Sequence, residues 1–239
     1  MMTLVNKLMS ESQIPLPFIR FDRFDFDSYV AGANSDVLDI LLRTAQGEER
    51  GNLYLWGPSG TGKSHLLQAV SARAADNGMR VACIPLAQIV ELAPDMLQGL
   101  EMLDLVCIDD LQCSAGLAPW EQALFHLYNR LRERGRPLLM SADQGPQSID
   151  IQLPDLKSRL AWDLVFHLQP LDEASLIQAL QRRARARLFD FPDEVLDYLV
   201  KRVSRDTHSL FRLLDRLDRA SLVSKKKITI PFVKEVLDI

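Results

Sequence analysis

The chain has 239 residues, 47% of them hydrophobic and 25% charged, enough for one good-sized core and a small second domain. Its 28 lysines and arginines stand against 32 aspartates and glutamates, a net charge of −4. No global basic field therefore draws it onto nucleic acid or an anionic membrane, and any DNA contact is expected to be mainly indirect, through other proteins.

Residues 1–20 carry Pro15 and Pro17, lack sustained periodicity and read as a flexible tail. The start, MMTLVNKLMSES, has no long apolar core, and no run approaches ~18 apolar residues, so neither a signal peptide nor a membrane span is expected. Cys83, Cys107 and Cys113 fit neither a disulfide framework nor a metal spacing, which points to a reducing compartment, the cytoplasm. Over residues 21–170, short apolar runs alternate with helical segments: Leu53 to Trp56, Val81 to Ile84, Leu103 to Ile108, Pro137 to Ser141 and Leu164 to Leu168. Five such runs separated by helices predict an α/β domain with a five-stranded parallel sheet sandwiched by helices. Over residues 171–239 the pattern becomes helical. Leu176, Ile177, Leu180 and Ala184 follow a possible Asp172 cap, Val195, Leu196, Leu199, Val200 and Val203 follow Pro192, and Leu210, Leu213, Leu214 and Leu217 mark a third helix. This predicts a small all-α lid of three helices, ending in the segment ITIPFVKEVLDI.

Gly57-Pro58-Ser59-Gly60-Thr61-Gly62-Lys63-Ser64 matches the P-loop pattern at every position, between the run LYLW and the helical HLLQAVSARAAD. Glycines there let backbone N–H groups wrap phosphate oxygens. Lys63 is expected to neutralise the β- and γ-phosphates and the Ser64 hydroxyl to hold Mg²⁺. Two strands on, the run through Ile108 ends in Asp109 and Asp110; Asp109 is the expected metal-shell carboxylate and Asp110 the group to orient an attacking water. Asp143, after the fourth run, reads either as a polar group reaching the γ-phosphate or water, or as a turn residue. Arg159, just before the fifth run at the domain edge, is placed to project into a neighbouring subunit's nucleotide.

The set LYLWGPSGTGKSHLLQA, LVCIDDLQ and LPDLKSRLAWDLVFHLQP, with the lid, resembles the AAA+ module of the DnaA family of bacterial replication initiators over residues 21–239. Phe24 to Gly32 resembles the stretch at the start of that module near the adenine, which implies nucleotide contacts for Tyr29 and Val30. Gln13-Ile14-Pro15-Leu16-Pro17-Phe18 is similar to the short peptide that docks on the β sliding clamp, with Leu16 and Phe18 as apolar anchors and Gln13 bonding at the pocket rim. The initiator continues into a helix-turn-helix DNA-binding domain, and the chain here is expected to end with the lid.

Together these features imply a regulatory member of the family. It would be an ADP-bound adaptor that joins the DNA-loaded clamp, contacts ATP-bound DnaA and stimulates hydrolysis there with Arg159 given in trans, so preventing re-initiation. One departure from the pattern falls on His208, where the family places a lid arginine that reads the phosphates. A histidine is mostly neutral at pH 7 and reaches less far, with Arg205 and Arg212 as candidate substitutes. The competing expectation is a self-sufficient ATPase of DnaA or helicase-loader type. Self-association head to tail is expected of such modules.

Overall fold

The computed structural model describes residues 24–186, 191–202 and 207–238. The side chains of Ala186 and His208 lie outside that set, as do Gln13, Ile14, Leu16, Pro17 and Phe18 of the clamp-like peptide and Arg205.

The elements in chain order are α1 (Ser35–Ala45), β1 (Leu53–Trp56), α2 (Lys63–Asp76), β2 (Val81–Pro85), α3 (Leu86–Ile89), β3 (Leu105–Asp109), α4 (Ala118–Glu133), β4 (Leu138–Ala142), α5 (Pro154–Leu160) and β5 (Leu164–His167). After them come α6 (Glu173–Ala186), α7 (Asp193–Arg202), α8 (Thr207–Ser224) and α9 (Ile230–Leu237). The five strands form one parallel sheet in the order β2-β3-β4-β1-β5, with Leu53 opposite Leu139 and Trp56 opposite His167. Strand alternation divides the apolar residues between two layers. Tyr54, Val106, Ile108, Leu138 and Met140 pack with Leu124, Leu127 and Leu131 of α4. Leu53, Leu55, Leu105, Cys107 and Leu139 pack with Val37 and Leu41 of α1 and Leu66, Leu67 and Val70 of α2. Each fully buried leucine is worth about 1.5–3 kcal/mol, and near-continuous apolar strands are what a sheet covered on both faces requires.

The two edge strands depart from the expected burial. Val81–Pro85 is half-buried throughout, and Leu164 and Val165 of β5 are exposed on the outer edge. The sequence pattern of an edge strand resembles that of its neighbours because it still packs one face. All three cysteines are free thiols, with Cys83 and Cys107 opposite each other on β2 and β3.

The lid has its own core, built from Leu176, Leu180, Leu196, Leu199, Leu210, Leu214 and Leu217. Asp172 caps α6, its Oδ1 accepting the Ser175 N–H at 2.7 Å. The lid contains a fourth helix, where the sequence pattern suggested three and a short tail. Thr229 caps α9 by accepting from the Phe232 N–H at 3.4 Å, Pro231 sits in its first turn, and Phe232 and Val233 are buried in the lid core.

One buried carboxylate shapes the approach to α5. Glu121 of α4 is 1% exposed; its oxygens accept backbone N–H groups from Gly116 at 2.8 Å, Gln152 at 3.0 Å and Leu153 at 2.7 Å. Glu121→Ala takes the acceptor from three partly buried backbone donors and is expected to cost about 2 kcal/mol of stability. Urea denaturation of Glu121→Ala and Glu121→Gln checks this. The glutamine keeps one oxygen as acceptor, so an equal loss in both variants, or none, contradicts the assignment.

A P-loop cleft beneath a helical lid

The P-loop leaves β1 in a conformation only glycine tolerates. Gly60 and Gly62 have φ of 83° and 89°. A Cβ on Gly62 would stand 2.5 Å from Cε2 of Tyr29, and one on Gly57 would stand 2.6 Å from the Leu168 carbonyl oxygen. The loop is also tied internally, with the Thr61 hydroxyl donating to the Pro58 carbonyl at 2.9 Å. Helix α2 then starts at Lys63 with no side chain capping it, so its first N–H groups and the positive end of its dipole face the loop mouth.

Lys63 is 8% exposed. Its ammonium donates to the Gly57 carbonyl at 2.7 Å and the Pro58 carbonyl at 3.0 Å. Burial lowers its pKa, and the charges of Asp110, Asp109 and Asp143 oppose that shift. The sequence-predicted cation and acids thus occupy one electrostatic cluster.

Asp109, the last residue of β3, is 5% exposed, and one of its oxygens accepts from the Ser141 hydroxyl. The same hydroxyl oxygen accepts from the Asp110 N–H at 3.1 Å. Asp110 itself sits in the left-handed region at φ 59°, a costly conformation for a side-chain-bearing residue and a common mark of functional turns. Gln112 links the remaining pair. Its amide nitrogen donates to Asp110 Oδ1 at 3.0 Å and its amide oxygen accepts the Asp143 N–H at 3.3 Å. Asp143 is exposed at the end of β4. Ser141 and Gln112 were not singled out from sequence. Gln112 lies inside the IDDLQ segment, but a serine closing an apolar strand carries no sign of its partner.

Beside the P-loop lies a cleft, partly open to solvent, with walls from three parts of the chain. Tyr29 and Val30, the residues expected near the base, line it together with Phe24, His65 of α2, Arg183 of α6 and Phe211 of α8. Burial pushes the Tyr29 pKa up to about 12, and its hydroxyl lies within 3.3 Å of the Thr61 carbonyl. His65 is held by the Asp25 carbonyl at 2.8 Å, with Phe24 and Tyr29 packed edge-on to its ring. The Arg183 guanidinium lies 4.7 Å over the Phe211 ring and 3.4 Å from Asp215. Arg182 fastens lid to base, donating to the carbonyls of Asp27 at 3.1 Å and Tyr29 at 2.8 Å. The stretch from Phe24 to Val30 was anticipated by resemblance, whereas His65, the lid residues Arg183 and Phe211 and the Arg182 contacts, which span more than 150 positions, were not legible in the sequence.

Arg159 stands elsewhere. It closes α5 just before the N-terminal end of β5, whereas the P-loop follows the C-terminal end of β1, so in a parallel sheet the two lie at opposite rims. Its guanidinium sits 4.4 Å over the ring of Trp162, which Arg132 of α4 also approaches at 5.5 Å.

A parallel sheet of this order, a P-loop with an acidic strand end beside it, and a helical lid over the cleft define a P-loop NTPase module of the AAA+ type. The chain belongs to the bacterial DnaA ATPase-domain family, whose model matches residues 21–167, and residues 172–237 match the model of the Hda lid domain. Among solved structures it is similar to domain III of the Thermotoga maritima replication initiation protein DnaA, with 25% identity and a TM-score of 0.82 over 91% of this chain and 96% of that one. Two further likenesses concern the fold alone. The AMPPCP-bound DnaA from Aquifex aeolicus has 21% identity and a TM-score of 0.65 over 81% of this chain and 65% of that one. The Thermotoga maritima RuvB Holliday junction branch migration motor has 17% identity and a TM-score of 0.66 over 90% and 71%. No helix among the described residues is long and apolar enough to cross a membrane.

Proposed function

We propose that the chain is a regulatory inactivator of DnaA: an ADP-bound AAA+ adaptor that joins the DNA-loaded β sliding clamp and stimulates ATP hydrolysis on DnaA, preventing re-initiation from the cytoplasm. The observation that carries this reading is a DnaA-type nucleotide module bearing an Hda-type lid. In this reading the P-loop N–H groups and Lys63 hold the phosphates, while Tyr29 and Val30 contact the nucleoside beneath α6 and α8. Magnesium suits the residues present. Asp109 offers a buried carboxylate with one oxygen engaged by Ser141, Ser64 stands at the start of α2, and such a site takes few protein ligands beside phosphate and water. The ion neutralises phosphate charge when bound.

Arg159 supports the trans arrangement because it lies at the rim opposite its own P-loop. A guanidinium offered to the neighbour's γ-phosphate stabilises charge that develops only in the transition state. The clamp peptide, Gln13, Ile14, Leu16, Pro17 and Phe18, supplies the tether, and self-association head to tail uses the same faces.

The experiment is hydrolysis by ATP-loaded DnaA with and without this chain, in the presence of clamp loaded on DNA, alongside ADP and ATP affinities and intrinsic turnover of the chain alone. Stimulation with ADP preference and negligible turnover supports the adaptor; absence of stimulation sinks it. Simultaneous replacement of Gln13, Leu16 and Phe18 by alanine is expected to abolish clamp binding in a pull-down or titration, and full retained affinity removes the tether. A second reading, a self-sufficient ATPase, is favoured by the grouping of Lys63 with Asp109, Asp110 and Asp143; steady turnover without DnaA decides for it.

A further inference from the structure

Arg159 is an arginine without an ion-pair partner among the described residues, and no acceptor there takes its side-chain N–H groups. What holds it is an aromatic face. The guanidinium lies 4.4 Å over Trp162, three residues on, whose backbone N–H returns to the Arg159 carbonyl at 3.1 Å in the closing turn of α5. Trp162 is 62% exposed and contributes little to the core.

The two ways of fixing an arginine have different consequences. A carboxylate partner occupies the planar fork of donors and must be displaced before an oxyanion can bind. A π-face fixes the direction of the guanidinium plane and leaves its donors open.

The turn carrying both residues is itself anchored. Asp163, next in sequence, accepts from Asn52 Nδ2 at 3.1 Å and from the Tyr128 hydroxyl, which also lies 3.5 Å from the Arg159 carbonyl oxygen. Asn52 in turn accepts the Leu138 N–H at 2.9 Å. Burial, with the Asp163 carboxylate adding to it, pushes the Tyr128 pKa up to about 12, so the phenol remains a donor. The starts of β1, β4 and β5 and the body of α4 thereby meet at this turn.

We propose that Trp162 is the positioning residue of Arg159, presenting its guanidinium outward with unoccupied donors to a phosphate oxyanion of a neighbouring P-loop module. This rests on the trans role of Arg159 proposed above. The test compares Trp162→Ala, Trp162→Phe and Arg159→Ala. In the isolated ¹⁵N-labelled chain, the Arg159 Nε–H resonance, assigned by its loss in Arg159→Ala, carries the ring-current shift of the stack. It should move in Trp162→Ala; an unmoved resonance overturns the stack.

In DnaA hydrolysis assays with clamp on DNA, Trp162→Ala should lower the maximal stimulated rate about tenfold, with its half-saturating concentration changed less than twofold, since orientation rather than affinity is lost. Trp162→Phe, which keeps a π-face, should recover most of the rate. A raised half-saturating concentration at full maximal rate makes Trp162 a docking contact and overturns the proposal, as does no change in either quantity. If Arg159→Ala retains stimulation, the trans role itself fails. If Arg159→Ala loses it while Trp162→Ala does not, only the positioning role fails.

Discussion

Arg159→Ala is expected to lower the stimulated hydrolysis rate on DnaA by about 10³-fold while leaving the chain's own nucleotide affinity unchanged. The separation follows from the topology. The P-loop lies at the C-terminal ends of the strands and Arg159 just before the N-terminal end of β5, so removal of the guanidinium touches none of the contacts around Lys63. The magnitude follows from charge development, because a guanidinium meeting the phosphoryl group in the transition state is worth far more than one meeting it in the ground state. Arg159→Lys should not restore the rate, since an ammonium is a point donor that neither stacks on Trp162 in the same manner nor presents a planar fork. Single-turnover hydrolysis by ATP-loaded DnaA, with saturating chain and clamp on DNA, measures the effect. A loss of threefold or less in Arg159→Ala would remove this residue from the chemistry.

The second large effect belongs to Lys63. Its ammonium is buried against the Gly57 and Pro58 carbonyls within the field of Asp109, Asp110 and Asp143. Lys63→Ala removes the cation that would meet the phosphates and leaves three carboxylates facing them. Removing a cation that meets a phosphate from one side costs several kcal/mol of binding. ADP affinity should therefore fall ~10²-fold or more, about 3 kcal/mol, in calorimetric titration. The nucleotide-free protein should also lose stability, because the Gly57 and Pro58 carbonyls lose their donor. Equal ADP affinity in wild type and Lys63→Ala would mean that nucleotide does not use this loop.

Much of the architecture could be read in advance because local and global signals agree. Each of the five apolar runs became a strand within two residues of its expected bounds, and Asp172 and Pro192 mark helix starts as their chemistry predicts. Failures have definite causes. Helix α9 is eight residues long with proline in its first turn, too short for a 3.6-residue period to stand out, and its stability comes from burying Phe232 and Val233 in the lid. Glu121 sits in a helix that looks ordinarily amphipathic, and nothing local reveals that the Gln152 and Leu153 N–H groups, some thirty residues on, converge on it beside that of Gly116. The P-loop, Asp109 and Asp110 were legible because phosphate chemistry fixes residue type and spacing. Of the cleft walls only the segment from Phe24 was foreseen, because His65, Arg183 and Phe211 meet it only once the lid is packed over the sheet.

The opposite placement of Arg159 and the P-loop also dictates symmetry. A contact that sets the arginine rim of one molecule against the nucleotide rim of another joins unlike surfaces, so it has a direction and cannot be related by a two-fold axis. On the proposed trans role of Arg159, every molecule would have a giving end and a receiving end. Two copies facing each other through like rims would bring arginine to arginine and leave both nucleotides unattended. Productive assemblies built through these rims would therefore be polar, either closed rings or open rows in which a molecule with its receiving end outermost still serves the neighbour at its giving end.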